Sequence, residues 1–302
     1  MLETLKTDKF QWIHILNPSD EDLLLLKDKF GFHPLDIEDC KTKKQRPKID
    51  VYDSYYFIIV HFPWYDKTNT FLGTKEIKIF WGKDFFVTIG HSHWLVRDMF
   101  QRAQEDEHFF ASIFQGSSDK LLYFLIEKML KETHSIINRI GSEVDYLNRS
   151  LFGKHAYKII EKISITRKNI ILLNTTFKPQ LRLFHKFESG EIAGFTENME
   201  DYWGNILDSH QRIWDLIEDY EELIIGLSKT FDSLQANRMN EIIRVLTFFS
   251  SIMLPLTFVT GMYGMNIKLP FQDSHSAFLI VVGIMLAITI VLLLFFKKRG
   301  WI

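Results

Sequence analysis

The sequence predicts an α/β domain, then long helices, then a pair of membrane spans. Three observations predict this. Short apolar runs punctuated by turn residues fill residues 1–115. From about Ser118 the apolar residues recur at helical spacing. Residues 244–302 hold two stretches apolar enough for a bilayer, at about 244–264 and 277–296. The expected domains are therefore 1–115, 116–243 and 244–302, and a chain of 302 residues has room for all three.

In chain order, Phe10 to Leu16 reads as a strand. Asn17-Pro18-Ser19-Asp20 supplies helix-start chemistry ahead of the Leu23 to Leu26 run, and Gly31 sits where that helix should stop. Pro34 opens a short helix, with Asp36, Glu38 and Asp39 near its positive end. Tyr55 to Phe62 and Lys75 to Trp81 are strand-like, and Gly82-Lys83-Asp84 turns the chain into Phe85 to Ile89. Trp94 to Ala103 returns to a helical pattern, so a helix-covered sheet is expected.

Leu121, Leu122, Leu125, Met129 and Leu130 share one helical face, continued by Ile136, Ile137, Ile140, Val144 and Leu147. Phe152-Gly153 breaks this helix, and a second runs from His155 to Lys186 through Pro179. A third is expected from Thr196 to Pro255, about 90 Å at about 1.5 Å per residue. A helix that long suits a stalk between a cytosolic body and a membrane. Residues 120–186 carry thirteen Lys or Arg against five acids, whereas 197–232 carry ten acids against Arg212 and Lys229. Solvated pairing between basic and acidic helices explains this, and an acidic stalk also concentrates cations.

Ala277 to Phe296 is twenty uncharged residues followed by Lys297-Lys298-Arg299, while the loop Ile267 to Ser276 holds only Lys268 and Asp273. The positive-inside tendency then puts both termini in the cytoplasm. The N-terminus has no apolar run of signal-peptide length, and the single cysteine, Cys40, allows no intrachain disulfide and fits a reducing compartment. In the first span, Thr247, Ser250, Leu254, Thr257 and Gly261 share one face, small or hydroxyl-bearing. Phe248, Phe249, Ile252, Met253, Phe258 and Val259 fill the others. Such a face serves either a packed helix seam or a watery path. Two spans cannot enclose a pore, so conduction needs several copies around an axis.

The span ends in Tyr263-Gly264-Met265-Asn266. A Gly-Met-Asn closing the first of two C-terminal spans resembles the CorA family of divalent-cation channels. So do Gly31-Phe32-His33-Pro34-Leu35-Asp36-Ile37-Glu38-Asp39, Arg46-Pro47-Lys48 and Tyr55-Tyr56-Phe57-Ile58-Ile59-Val60. The resemblance implies a homopentamer in the cell membrane, its first span lining the pore, with Mg²⁺ as cargo and candidate regulator and Co²⁺ and Ni²⁺ as further cargo. It implies a selectivity filter at Tyr263, Gly264, Met265 and Asn266, of which Gly264 and Asn266 read alone fit a helix C-cap. It implies a pore face of Gly261, Thr257, Leu254, Ser250, Leu246, Ile243 and Asn240, with Leu at 254 where relatives commonly have Met. Lys297, Lys298 and Arg299 would then ring the inner mouth.

Two departures concern regulation and the loop. The family's regulatory aspartate on the stalk falls, by collinear alignment, at Asn205. Asp201 and Asp208 lie a turn to either side, and Asp98 is the acid near the partner position. The loop after Asn266 has its first acid only at Asp273. A zinc-transporting member of the same superfamily and a membrane-anchored scaffold are the rival readings. His91 and His93 with His61 or His108 offer zinc nitrogens, yet without a Cys pair or an acid at ligand spacing they read as strand-end residues. The basic run Lys41, Lys43, Lys44, Arg46 and Lys48 reads as a solvated loop, with no base-stacking motif for nucleic acid. No Walker loop, G-x-S-x-G or nucleophile–base set is found, so neither an enzyme nor ATP-driven transport is expected, and no resident cofactor is.

Overall fold

The structure is a computed structural model, and it describes residues 2–6, 9–42, 45–65, 70–90, 94–114, 116–151, 156–266 and 276–301. The chain divides into two compact units, Met1–Ser228 and Lys229–Ile302.

The first unit is built on a six-stranded sheet. Its strands are β1 (Leu2–Lys6), β2 (Gln11–Leu16), β3 (Lys48–Val51), β4 (Tyr55–Tyr65), β5 (Leu72–Gly82) and β6 (Phe85–Gly90), in spatial order β1-β2-β6-β5-β4-β3. Only β2 and β6 run parallel; the other neighbours are antiparallel. In β4, Tyr55, Phe57 and Ile59 point to one face and Ile58, Val60 and Phe62 to the other, and all six are buried. A strand buried on both faces needs helices on both sides of the sheet.

The first face is closed by α1 (Asp20–Phe30) and α2 (Pro34–Lys41), whose Leu23, Leu26, Ile37 and Cys40 join one core with Ile13, Phe57, Phe80 and Val87. Ser19 caps α1, accepting from the Asp22 amide while the Asp22 carboxylate accepts from the Ser19 amide, and Gly31 ends it at φ 70°. Lys78, buried on β5, ties α2 to the sheet by donating to the Thr42 carbonyl at 2.8 Å and pairing with Glu76 at 3.0 Å. Toward the second face lie α3 (Trp94–Glu105), α4 (Glu107–Phe114), α5 (Ser118–Ser150) and α6 (Ala156–Glu188). Phe100 of α3 packs edge-on against Trp12 at 4.9 Å. Twelve apolar or small residues of α5 from Leu121 to Leu147 are buried along the stripe its periodicity predicts.

Three elements escape the sequence reading. Strands β1 and β3 are the sheet edges, half exposed and charged, so they lack the apolar alternation of an inner strand. The short α4 follows α3 after Asp106, whose carboxylate accepts from the Phe109 amide. The expected break at Phe152-Gly153 and the His155 helix start lie outside the described residues.

The last long helix, α7 (Glu200–Tyr263), departs from expectation at both ends. It starts at Glu200 rather than Thr196, because the Thr196 hydroxyl donates to Asp119 at 2.7 Å and Asn198 takes a positive φ of 61°. It also continues through Pro255, eight residues past the expected stop, at the cost of one backbone bond to the Ser251 carbonyl. Its first part, to Ser228, belongs to the first unit, and the rest joins α8 (Ala277–Lys298) in the second.

His210 of α7 is fully buried against Phe177 and Phe184 of α6, with ring centroids 5.0 Å away in each case. Neither ring nitrogen has a hydrogen-bond partner among the described residues. Burial pushes its imidazole from 6.5 down to about 3. The folded state therefore holds it neutral, and the stability this gives is complete above the unfolded value and declines as pH falls from 6.5 toward 3. His210→Leu removes two unpaired nitrogens at similar volume and should stabilise the protein by about 1–3 kcal/mol at pH 8. At pH 5 the gain should grow by about 2 kcal/mol, at about 1.4 kcal/mol per pH unit. Thermal unfolding of both proteins at the two pH values measures this, and an equal gain at both would show that His210 titrates normally.

Candidate functional site

The second unit pairs the C-terminal part of α7 with α8, the two helices long and apolar enough to cross a membrane among the described residues. Along α7 the half-buried positions Phe248, Ile252, Pro255, Val259 and Tyr263 form one stripe. Phe248 meets Phe296 of α8 with ring centroids 5.3 Å apart, which places α8 along that stripe. At 100° per residue, Leu246, Ser250, Leu254, Thr257 and Gly261 fall on the opposite side. All five are exposed, as are Ile243 and Asn240 below them, and Leu254 reaches 72%. The five positions from Leu246 to Gly261 therefore share a face that this chain leaves uncovered.

The chemistry of the face follows from its hydroxyls. Thr257 donates its hydroxyl hydrogen to the Met253 carbonyl at 2.9 Å. With the donor spent inside the helix, the oxygen faces outward as an acceptor only. A hydrated cation presents hydrogens outward, so an acceptor surface suits it. Leu246, Leu254 and Ile243 are the apolar residues of the same face.

Helix α7 ends at Tyr263, two residues beyond Gly261. Gly264 donates to Thr260 at 2.9 Å and Met265 to Met262 at 3.3 Å, closing the last turn. Gly264, Met265 and Asn266 are exposed beyond the last helical residue, Tyr263. Asn266 thus lies three residues past the helix end and is exposed. The loop after it, with Lys268 and Asp273, lies outside the described residues. At the other end of α8, Lys297 and Lys298 occupy the last turn, and the Arg299 amide closes it onto the Phe295 carbonyl at 3.1 Å.

The residues that the resemblance points to for regulation are arranged differently. Asp201, Asn205 and Asp208 are exposed on α7 and Asp98 on α3. Among the described residues no group of three or more His, Cys, Asp or Glu could hold a metal ion. The Asn205 amide instead donates to the Tyr123 hydroxyl of α5 at 2.8 Å. Tyr123 meets Tyr202 edge-on at 4.9 Å, and Lys120 lies 3.2 Å from the centre of the Tyr202 ring. Asn205 therefore clasps α7 to α5, a role that spacing along α7 alone does not reveal. Of the weighed histidines, His91 and His93 lie outside the described residues, and His61 sits 3.3 Å from Glu76. In the basic run, Lys41 pairs with Asp20 at 2.6 Å and Lys48 with Asp39 at 2.7 Å, while Lys43 and Lys44 lie outside the described residues.

A family model described as CorA-like Mg²⁺ transporter protein matches residues 7–298. The chain is similar to the putative metal ion transporter YfjQ of Bacillus subtilis, 29% identical over 293 residues, covering 96% of this chain and 89% of that one. It is 25% identical to the cobalt/magnesium transport protein CorA of Thermotoga maritima, covering 96% of this chain and 83% of that one. The complete structure of the CorA magnesium transporter from Methanocaldococcus jannaschii superposes with a TM-score of 0.81 at 21% identity, covering 97% of this chain and 92% of that chain.

Proposed function

Because the chain belongs to the CorA-like Mg²⁺ transporter family, we propose that it carries Mg²⁺ across the cell membrane through a pore lined by several copies of α7. The observation that carries this reading is the uncovered hydroxyl-bearing face of α7, opposite the stripe that meets α8. An anchor has no use for such a face, whereas a ring of copies turns it inward around an axis. Five copies is the number that the family resemblance implies.

Mg²⁺ binds water tightly and gives it up slowly, so a pore passes it most readily with its waters in place. Carbonyl oxygens at Gly264 and the Asn266 amide can accept from those waters. A neutral ring binds the ion weakly enough to release it, and the membrane potential draws cations inward. Co²⁺ and Ni²⁺ bind six waters in similar geometry and are the expected further cargo. Flux into liposomes holding the purified protein, with Mg²⁺, Co²⁺ and Zn²⁺ side by side, tests the assignment. Zn²⁺ flux well above Mg²⁺ would move the chain to the zinc-transporting branch, and no flux of any ion would leave the spans as an anchor.

Both termini are assigned to the cytoplasm on the strength of Lys297, Lys298 and Arg299. Labelling can check this directly, because the native Cys40 is buried and burial pushes its thiol up to about 12. In intact cells, Ser274→Cys should react with an impermeant thiol reagent and Gly300→Cys should not. The reverse pattern would overturn the topology.

A further inference from the structure

A cleft of about 680 Å³ lies between the edge strand β3 and helix α6, within the first unit. We propose that it binds a small anion bearing more than one phosphate group, such as inorganic triphosphate or a nucleoside triphosphate. The volume is that of a small-molecule site. Four cations line the cleft, Lys48 from β3 and Lys178, Arg182 and Lys186 from α6, and no acid is among the lining residues.

The three α6 cations follow one another at intervals of four residues, so they stand in a row about 12 Å long on one face. Like charges at that spacing repel by about 0.2–0.5 kcal/mol per pair, so the row destabilises the isolated helix. Two of the four cations are held locally: Lys48 by Asp39 and Asp50, and Lys186 by Glu191 at 2.7 Å. The other two make no ion pair among the described residues. Lys178 lies 5.5 Å over the Trp214 ring, and Arg182 is exposed with no ion pair among the described residues. A guanidinium offers phosphate a matched pair of donors, and a neighbouring ammonium adds a point charge for a second phosphate.

The walls favour an organic phosphate over a bare ion. Ile49, Pro179 and Leu183 give the cleft apolar surface. Pro179 has no N–H to offer the Thr175 carbonyl four residues earlier, and Thr175 also lines the cleft. That carbonyl can accept from a ligand hydroxyl or amine. The sequence has no phosphate-binding loop and no nucleophile–base set, so the proposal is binding without hydrolysis. It does not depend on which ion the second unit carries.

The test uses the full chain in detergent, titrated calorimetrically in Mg²⁺-free buffer at physiological salt. The probes are sodium triphosphate, ATP, orthophosphate and dioctanoyl phosphatidic acid. Triphosphate and ATP should bind, with orthophosphate much weaker. Arg182→Gln and Lys178→Gln should each weaken binding about tenfold or more, and Lys128→Gln on the exposed face of α5 should leave it unchanged. Size exclusion and thermal unfolding establish that each variant is folded and assembled. Binding of the phosphatidic acid alone, with triphosphate and ATP silent, would show a lipid headgroup site and overturn the polyphosphate proposal. No binding at millimolar ligand, or equal loss in the Lys128 variant, overturns the proposal.

Discussion

Asn266→Ala should assemble as the parent protein does and lose Mg²⁺ uptake by about tenfold or more, a barrier rise of at least 1.4 kcal/mol. The residue is exposed just past the last turn of α7, so truncating it creates no cavity. The helix end is closed by the Gly264 and Met265 amides, bonds that survive the change. What is lost is one amide per subunit, whose oxygen would accept from the waters around the ion. Asn266→Asp keeps the size and adds a negative charge per copy. It should retain cation binding, release the ion more slowly and alter selectivity. Size-exclusion profiles with liposome flux separate the outcomes. An assembled Ala variant that transports Mg²⁺ at the parent rate would reduce Asn266 to a helix cap.

Trp81→Ala should lower stability by about 3–5 kcal/mol, the usual cost of emptying a buried aromatic site. Trp81 is fully buried at the end of β5. Its ring stacks on Tyr56 of β4 at 4.7 Å, meets Phe187 of α6 and Trp203 of α7 at 6.0 Å each, and takes Phe195 edge-on at 5.4 Å. One side chain thus joins the sheet to both helices and to the turn between them. That turn leaves little room for repacking. Gly194 sits at φ 74°, where a Cβ would fall 2.5 Å from Asp119 and 3.1 Å from Trp81. Asp119 in turn accepts from the Phe195 amide at 2.8 Å. The indole nitrogen has no hydrogen-bond partner among the described residues, so Trp81→Phe loses volume but no bond and should cost less than half as much. Thermal unfolding in detergent should show a fall of about 10 °C for the Ala variant, at about 2–4 °C per kcal/mol for a unit of this size. A shift under about 2 °C would mean that the neighbouring rings close the gap.

Periodicity and end chemistry by themselves determined the α/β order, the long helices and the two spans. The inner strands β4 and β5 were legible because both their faces are buried, which demands an apolar run. The small and hydroxyl-bearing face of the first span was legible because a helix in lipid must sort its side chains around its axis, and Ser250, Thr257 and Gly261 break an otherwise greasy surface at helical spacing. Edge strands β1 and β3 were not legible, because a strand with one neighbour can be polar and charged. The start of α7 and the role of Asn205 depend on groups far away in sequence. Asp119 takes the Thr196 hydroxyl that would otherwise cap a helix, and Tyr123 takes the Asn205 amide. The cleft beside Arg182 likewise exists only because β3 comes to lie along α6. Local sequence fixes what a segment is, through spacing and caps. Which distant partner satisfies its polar groups is decided by tertiary packing, since a donor's free energy depends on the acceptor it meets and not on its neighbours in the chain.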